Sequence, residues 1–286
     1  MAEIQVIERI ADLNAWAHDQ RVAGRVVGLV PTMGALHDGH AAMAAMAAGA
    51  CDAVVLSVFV NPLQFASGED LASYPRTLEA DVVIAARAGV ELVFAPSVEE
   101  MFPGDVATTV HVAGLTEVLE GRSRPTHFDG VATVVAKLFA MVGACQAYFG
   151  EKDFQQLAVV RRMALDLSFP VDVVGCATVR APDGLALSSR NAYLTAAERS
   201  AAPVLARALR ASASAIAAGE RDPVAVVDLV RAIVEAEPLA AFESVDVVDV
   251  ATLRPPEVLA GELRLLVAAR FGRARLIDNV GIAVSP

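Results

Sequence analysis

Two of the chain's five histidines, His37 and His40, stand three residues apart. Imidazoles at this spacing can donate to one anion, relay a proton or share a metal. They follow a short apolar run, Val26–Val30, that reads as a buried strand, and a break at Pro31 and Gly34. An Ala/Met-rich helix begins just after them. Strand, glycine-bearing loop and helix N-terminus make an anion site, because free N–H groups and the positive end of the helix dipole face the loop. With a helix starting near Asp38, both rings point at the same anion. A metal is not expected there, since no Cys or third His lies nearby. Two surface histidines in a polar turn are the alternative; their pairing at a strand–helix junction weighs against it.

Further polar groups punctuate the chain after apolar runs. Asn61 and Gln64 follow the run Ala53–Val60, where ligands gather beyond the carboxyl ends of parallel strands. An ordinary Asn-Pro turn would also explain Asn61. Gly121–Gly130 reads as a loop carrying Arg122, Arg124 and His127, a cationic segment able to close over an anion or simply a solvated turn. Lys137 and Lys152 are the only lysines. Lys152, in Gly150-Glu151-Lys152-Asp153, is either a solvated surface residue or an ammonium kept for a purpose. Ser188-Ser189-Arg190-Asn191 offers hydroxyls and a guanidinium suited to phosphate oxygens, although an exposed turn or cap explains it as well.

Composition limits the classes available. A net charge of −11 disfavours nucleic acid as a partner. With 286 residues, 55% of them hydrophobic, the chain can build one large or two modest domains. No apolar run reaches the ~18 residues of a membrane span, and the charged N-terminus lacks a signal peptide's apolar core. Three widely spaced cysteines argue for free thiols in a reducing compartment, with the cytoplasm as the expected location.

The elements that position these groups alternate. Residues 3–20 read as an amphipathic helix. Beyond the histidine loop and the run Ala53–Val60, Thr77 caps a helix to about Ala88, and Glu91–Ala95 is a strand. Thr108–Val112 reads as a short strand, Val131–Val142 as a helix and Ala147–Gly150 as a strand. A helix through Gln155, Gln156 and Arg161 and a strand Val171–Gly175 complete the series. The alternation predicts a doubly wound parallel α/β sheet, Rossmann-like, over residues 1–178. From residue 179 the texture changes. Helices over Thr195–Ala218 and Pro223–Ala236, with strands at Glu243–Val250, Glu262–Ala269 and Arg275–Asp278, predict a smaller C-terminal α+β domain, 179–286.

In order, the chain shows P-T-M-G-A-L-H-D-G-H, N-P-x-Q-F, R-P-T-H-F-x-G-V, G-E-K-D-x-Q-Q and S-S-R-N. Through these strings it resembles the pantoate–β-alanine ligases of the H-x-G-H nucleotidyltransferase superfamily. Asp38, Phe154 and Leu187 stand where that family often has Glu, Tyr and Met. The resemblance implies ATP-dependent condensation of (R)-pantoate with β-alanine through a pantoyl adenylate, giving AMP and diphosphate. It implies catalytic roles for His37, His40, Lys152, Ser188, Ser189 and Arg190. The nucleotide would be framed by Pro31, Thr32, Met33, Gly34, Ala35, Leu36, Asp38 and Gly39. Gly150, Glu151, Asp153, Val179 and Leu187 would complete that frame. Gln64, Gln156, Asn61, Arg124 and His127 would serve pantoate and β-alanine, Mg²⁺ would ride on the phosphates with no protein-held metal, and the chain would form a homodimer. A nucleotidyltransferase that stops at nucleotidyl transfer, or a non-catalytic nucleotide-binding protein, are the rival readings. The first would need further basic signatures, and the second would be expected to lack a histidine or Lys152.

Overall fold

The computed structural model describes residues 4–66 and 70–284. Its first sheet is built from continuous apolar runs that bury both faces of each strand. Strands β1 (Gln5–Ile7), β2 (Val27–Thr32), β3 (Ala53–Val58), β4 (Leu92–Phe94), β5 (Cys145–Gly150) and β6 (Val171–Cys176) pair in parallel, in the order β1-β4-β3-β2-β5-β6. Leu29, Val55, Phe94, Ala147 and Phe149 enter one core with α1 (Ile10–Val22) and, further along the chain, the helices His127–Val142 and Phe154–Asp166. Their neighbours Val30, Leu56, Val93 and Tyr148 enter a second core with α2 (Asp38–Ala50) and α3 (Leu78–Arg87). Alternate residues of one strand therefore feed opposite layers. The chain winds outward from β2 through β3 to β4, then returns to place β5 on the other side of β2. The strand order reverses between β2 and β5, and ligands in open α/β sheets bind beyond the carboxyl ends at such a point.

The first unit differs from the sequence reading in three places. The expected helix over residues 3–20 is the strand β1 followed by α1; its first position, Glu3, lies outside the described residues. β1 is three residues long and sits at the sheet edge beside β4, too short for its periodicity to show. Residues 108–112 form no strand; the Val110 N–H is satisfied by Thr133 Oγ1 at 2.9 Å. The segment read as a loop over 121–130 is largely helical. After the single turns α4 (Val98–Met101) and α5 (Glu120–Ser123), helix α6 starts at His127 and runs to Val142. Pro125 and Gly130 disguise this start. Gly130 is there for space: a Cβ would sit 2.3 Å from Leu63 O and 2.7 Å from Gln64 N. After β5, α7 (Phe154–Asp166) leads into β6.

The chain divides into two compact units, Met1–Glu151 with Gln155–Ala177, and Lys152–Phe154 with Thr178–Pro286. In the second unit the expected helix over 195–218 is two, α8 (Ala196–Ala201) and α9 (Val204–Ala217). Pro203 separates them because it has no N–H to donate and its ring excludes a continuous turn. Thr195 and Glu198 form a capping box at the start of α8. Helices α9 and α10 (Pro223–Glu235) share a core with the antiparallel sheet β7 (Ala241–Asp249), β8 (Gly261–Phe271) and β9 (Ala274–Val284). No helix among the described residues is long and apolar enough to cross a membrane.

Two expectations test this packing. Gly130→Ala should lower stability by about 1–3 kcal/mol, the usual penalty for overpacking against backbone that cannot yield. An unchanged urea midpoint would contradict the close approach. The second concerns His111, whose ring lies 2.9 Å from Asp129 and 3.2 Å from Glu117. Hydrogen bonds to these carboxylates raise its pKa above 6.5. Protonated His111 should thus stabilise fully below its unfolded pKa and lose that effect as pH rises through the raised value. Stability of wild type minus that of His111→Gln should be constant well below pH 6.5 and fall as pH rises from about 6.5 through the raised value; a flat difference would contradict the pairing.

Candidate active site

The histidine loop leaves the carboxyl end of β2, at the strand-order reversal. Gly34 and Ala35 both take positive φ, 81° and 50°, so the chain turns tightly there. Thr32 Oγ1 stabilises the turn, donating to Ser57 O at 2.7 Å and accepting from Gly34 N at 3.1 Å. The next two N–H groups point inward. Asp81, on α3 and 1% exposed, accepts Ala35 N at 3.0 Å and Leu36 N at 2.7 Å. Sequence reasoning misses Asp81. Its signal is an acidic residue four positions before buried Ala85, on the apolar face of a helix.

His37 is the N-cap of α2. Its Nδ1 accepts from Gly39 N at 3.1 Å, and His40 Nδ1 accepts a longer bond, 3.4 Å, from His37 N. The two rings lie 4.1 Å apart between centroids. A ring nitrogen that accepts carries no proton, so each imidazole holds its proton on Nε2. The pair therefore caps the helix through its Nδ1 edges. Asp38 is exposed, while Met33 and Gly39 are half-buried.

Met33 leads to a second cluster. Gln64 Nε2 donates to Met33 Sδ at 2.9 Å, and Gln64 Oε1 accepts from Asn61 Nδ2 at 3.1 Å. Asn61, 1% exposed, also donates to Gly130 O at 3.0 Å and caps the turn by accepting Leu63 N at 3.2 Å. His127 Nδ1 lies 2.8 Å, and Arg124 Nη2 3.3 Å, from the main-chain oxygen of Gln64. The structure thus joins Met33, Asn61, Gln64, Arg124 and His127, with Arg124 and His127 gripping the backbone beneath Gln64. Gln155 has no role in the sequence reading, yet it is buried and ties down the segment before α5. Its amide bonds Leu115 O, Val118 O and Glu120 N at 2.9, 2.7 and 3.1 Å. Gln156, one residue on, is half-buried on α7.

Gly150 ends β5, the neighbour of β2, and Glu151 opens the turn that follows it. In the second unit, Lys152 is 16% exposed and its Nζ lies 3.8 Å from Asp153 Oδ1. Val179 and Leu187 are brought together by a backbone hydrogen bond of 2.9 Å, closing a small hairpin that delivers the serine loop. Ser188 Oγ accepts Arg190 N at 3.3 Å and caps the turn Ser189–Tyr193. Burial disfavours the thiolate at all three cysteines, raising the pKa of Cys51 and pushing Cys145 up to about 12 and Cys176 up to about 11.

Asp81→Ala would strand the Ala35 and Leu36 N–H groups. We expect a loss on the order of 3 kcal/mol and faster amide exchange at both positions. Exchange as slow as in the wild type would show that Asp81 does not hold the loop.

The geometry can be set beside known proteins. The family description pantoate-beta-alanine ligase matches residues 5–281. The chain is similar to the pantothenate synthetase of Heliobacterium modesticaldum, 52% identical over 98% of this chain and 100% of that one. The Moorella thermoacetica pantothenate synthetase is 48% identical over 99% and 100%. A crystal structure of pantothenate synthetase from Thermus thermophilus superposes with TM-score 0.91 at 48% identity, over 99% of this chain and 100% of that one. The Francisella tularensis pantoate-beta-alanine ligase, complexed with beta-gamma ATP and beta-alanine, gives 0.79 at 29% identity over 97% of each chain. With a family match and relatives near half identity along nearly its whole length, this chain belongs to the pantoate-beta-alanine ligase family.

Proposed function

We propose that the chain carries out its family's ATP-dependent ligation of pantoate to β-alanine through a pantoyl adenylate. The observation that carries this reading is the His37–His40 pair. Both rings accept backbone N–H groups through Nδ1 at the start of α2, which places the pair at a helix N-terminus, where anions bind. In the first half-reaction a pantoate carboxylate oxygen attacks the α-phosphorus of ATP and diphosphate leaves. His37 and His40 donate to phosphate oxygens, and Lys152, Ser188, Ser189 and Arg190 hold the triphosphate. In the second, the β-alanine ammonium gives one proton to solvent, the amine attacks the acyl carbon, and AMP leaves as the new amide gives up a second proton to solvent or to the departing phosphate. His40 is the candidate proton donor. Neither half-reaction needs a covalent enzyme intermediate; positioning and charge stabilisation suffice.

Gln64 binds pantoate by an uncharged amide, with Gln156 beside it in this role. Asn61, Arg124 and His127 support that pocket. Pro31–Gly39, Gly150, Glu151, Asp153, Val179 and Leu187 frame the nucleotide. Mg²⁺ would accompany the phosphates, with few protein ligands. When bound, Mg²⁺ would neutralise phosphate charge. We assign nucleotide and pantoate binding to the domain read over residues 1–178 and the serine loop to the domain read over residues 179–286, with which Lys152–Phe154 group. The protein is read as a cytoplasmic homodimer; the free thiols Cys51, Cys145 and Cys176 suit a reducing compartment.

The test is isotope exchange. With ATP, Mg²⁺, pantoate and labelled diphosphate, but no β-alanine, label should enter ATP, and omitting pantoate should abolish the exchange. Exchange without pantoate, or ADP as product, would overturn the adenylate route. Lys152→Ala and His40→Ala should each cut turnover by about 10²–10³, the scale of one lost transition-state donor. Near-normal activity in either variant would remove that residue's role.

A further inference from the structure

Three polar side chains of the second unit occupy positions where a core ordinarily takes aliphatic groups. Arg264 on β8 and Asp278 and Asn279 on β9 are 8%, 3% and 4% exposed. Arg180 meets Asp278 with two hydrogen bonds, 2.6 and 2.8 Å, and Asp278 Oδ1 also accepts Asn279 N at 2.7 Å. Arg264 Nε donates to Asn279 Oδ1 at 2.7 Å. Across the ladder from Arg264 stands Gly281, where a Cβ would lie 2.7 Å from Arg264 Nη1. A buried network of this kind is seldom the most stable way to fill a core, so its use calls for another reason.

The network ends on the lysine segment. With Oδ1 committed to Arg264, the Asn279 amide has only one orientation, and Nδ2 donates to the main-chain oxygen of Lys152 at 2.7 Å. The Arg264 guanidinium also lies 4.2 Å over the ring of Phe154. The backbone is thereby held on both sides of Asp153, by groups that belong to the same compact unit as Lys152–Phe154. None of these groups has a part in the chemistry described above.

We propose that Asn279, oriented by Arg264, is a positioning residue that sets where Lys152 presents its ammonium. This rests on the reading of Lys152 as a phosphate-binding group. A cycle of Asn279→Ala and Lys152→Ala, singly and together, tests it through turnover and through ATP–diphosphate exchange. Asn279→Ala should lower kcat about tenfold, the worth of one hydrogen bond, with KM for β-alanine unchanged. In the Lys152→Ala background the same substitution should change exchange by less than about twofold, because the group it positions is gone. Should Asn279→Ala fail to fold, Asn279→Asp keeps the shape, removes the donor and should give the same pattern. An equal loss in both backgrounds, or normal kcat in a folded Asn279 variant, would overturn the inference while leaving the role of Lys152 standing. Normal turnover in Lys152→Ala would instead remove the ammonium reading and this inference with it.

Discussion

The histidine loop depends on one buried carboxylate. A chain that leaves a parallel strand and turns back into a helix must satisfy its inner N–H groups without water. Here Asp81 does so for Ala35 and Leu36. Each of those donors, left alone in the core, would cost about 1–3 kcal/mol. Once they are satisfied, the positive-φ pair Gly34 and Ala35 can be held, and His37 falls at the N-cap of α2 with His40 one turn along. The orientation of the two imidazoles is then set by the backbone N–H groups their Nδ1 atoms accept.

The same logic runs through the Gln64 cluster. Asn61 and Gln64 are buried yet satisfied: Asn61 orients the Gln64 amide, while the half-buried Arg124 and His127 hold the carbonyl beneath it. Gly130 lets α6 approach the Pro62–Gln64 turn closely enough for Asn61 to reach Gly130 O. With Oε1 held by Asn61 and Nε2 by Met33 Sδ, the Gln64 amide has a single orientation.

Much of this is legible in the residues. Continuous apolar runs mark β2, β3 and β5 because burial on both faces leaves no polar alternation. His37, His40, Asn61 and Gln64 follow strand ends, where ligands gather. Asp81, Gln155 and Asn279 escape notice because the backbone atoms they hold lie 35 or more residues away, and composition carries no trace of such a pairing. β1 escapes because three residues show no period. The start of α6 is hidden by Pro125 and Gly130, residues that read as turn signals but here serve helix entry and close packing. Arg124 and His127 read as ligand groups on a loop; the structure also sets both against the main-chain oxygen of Gln64, a contact with no sequence signal.

The central claim is that a pantoate carboxylate oxygen bonds to the α-phosphorus before β-alanine reacts. Pantoate labelled with ¹⁸O in its carboxylate tests this most directly. When the amine displaces AMP, the bridging oxygen must leave with the phosphate. The account predicts one ¹⁸O per AMP formed and none in diphosphate, read by mass spectrometry after a complete turnover. Unlabelled AMP, or label in diphosphate or orthophosphate, would contradict it.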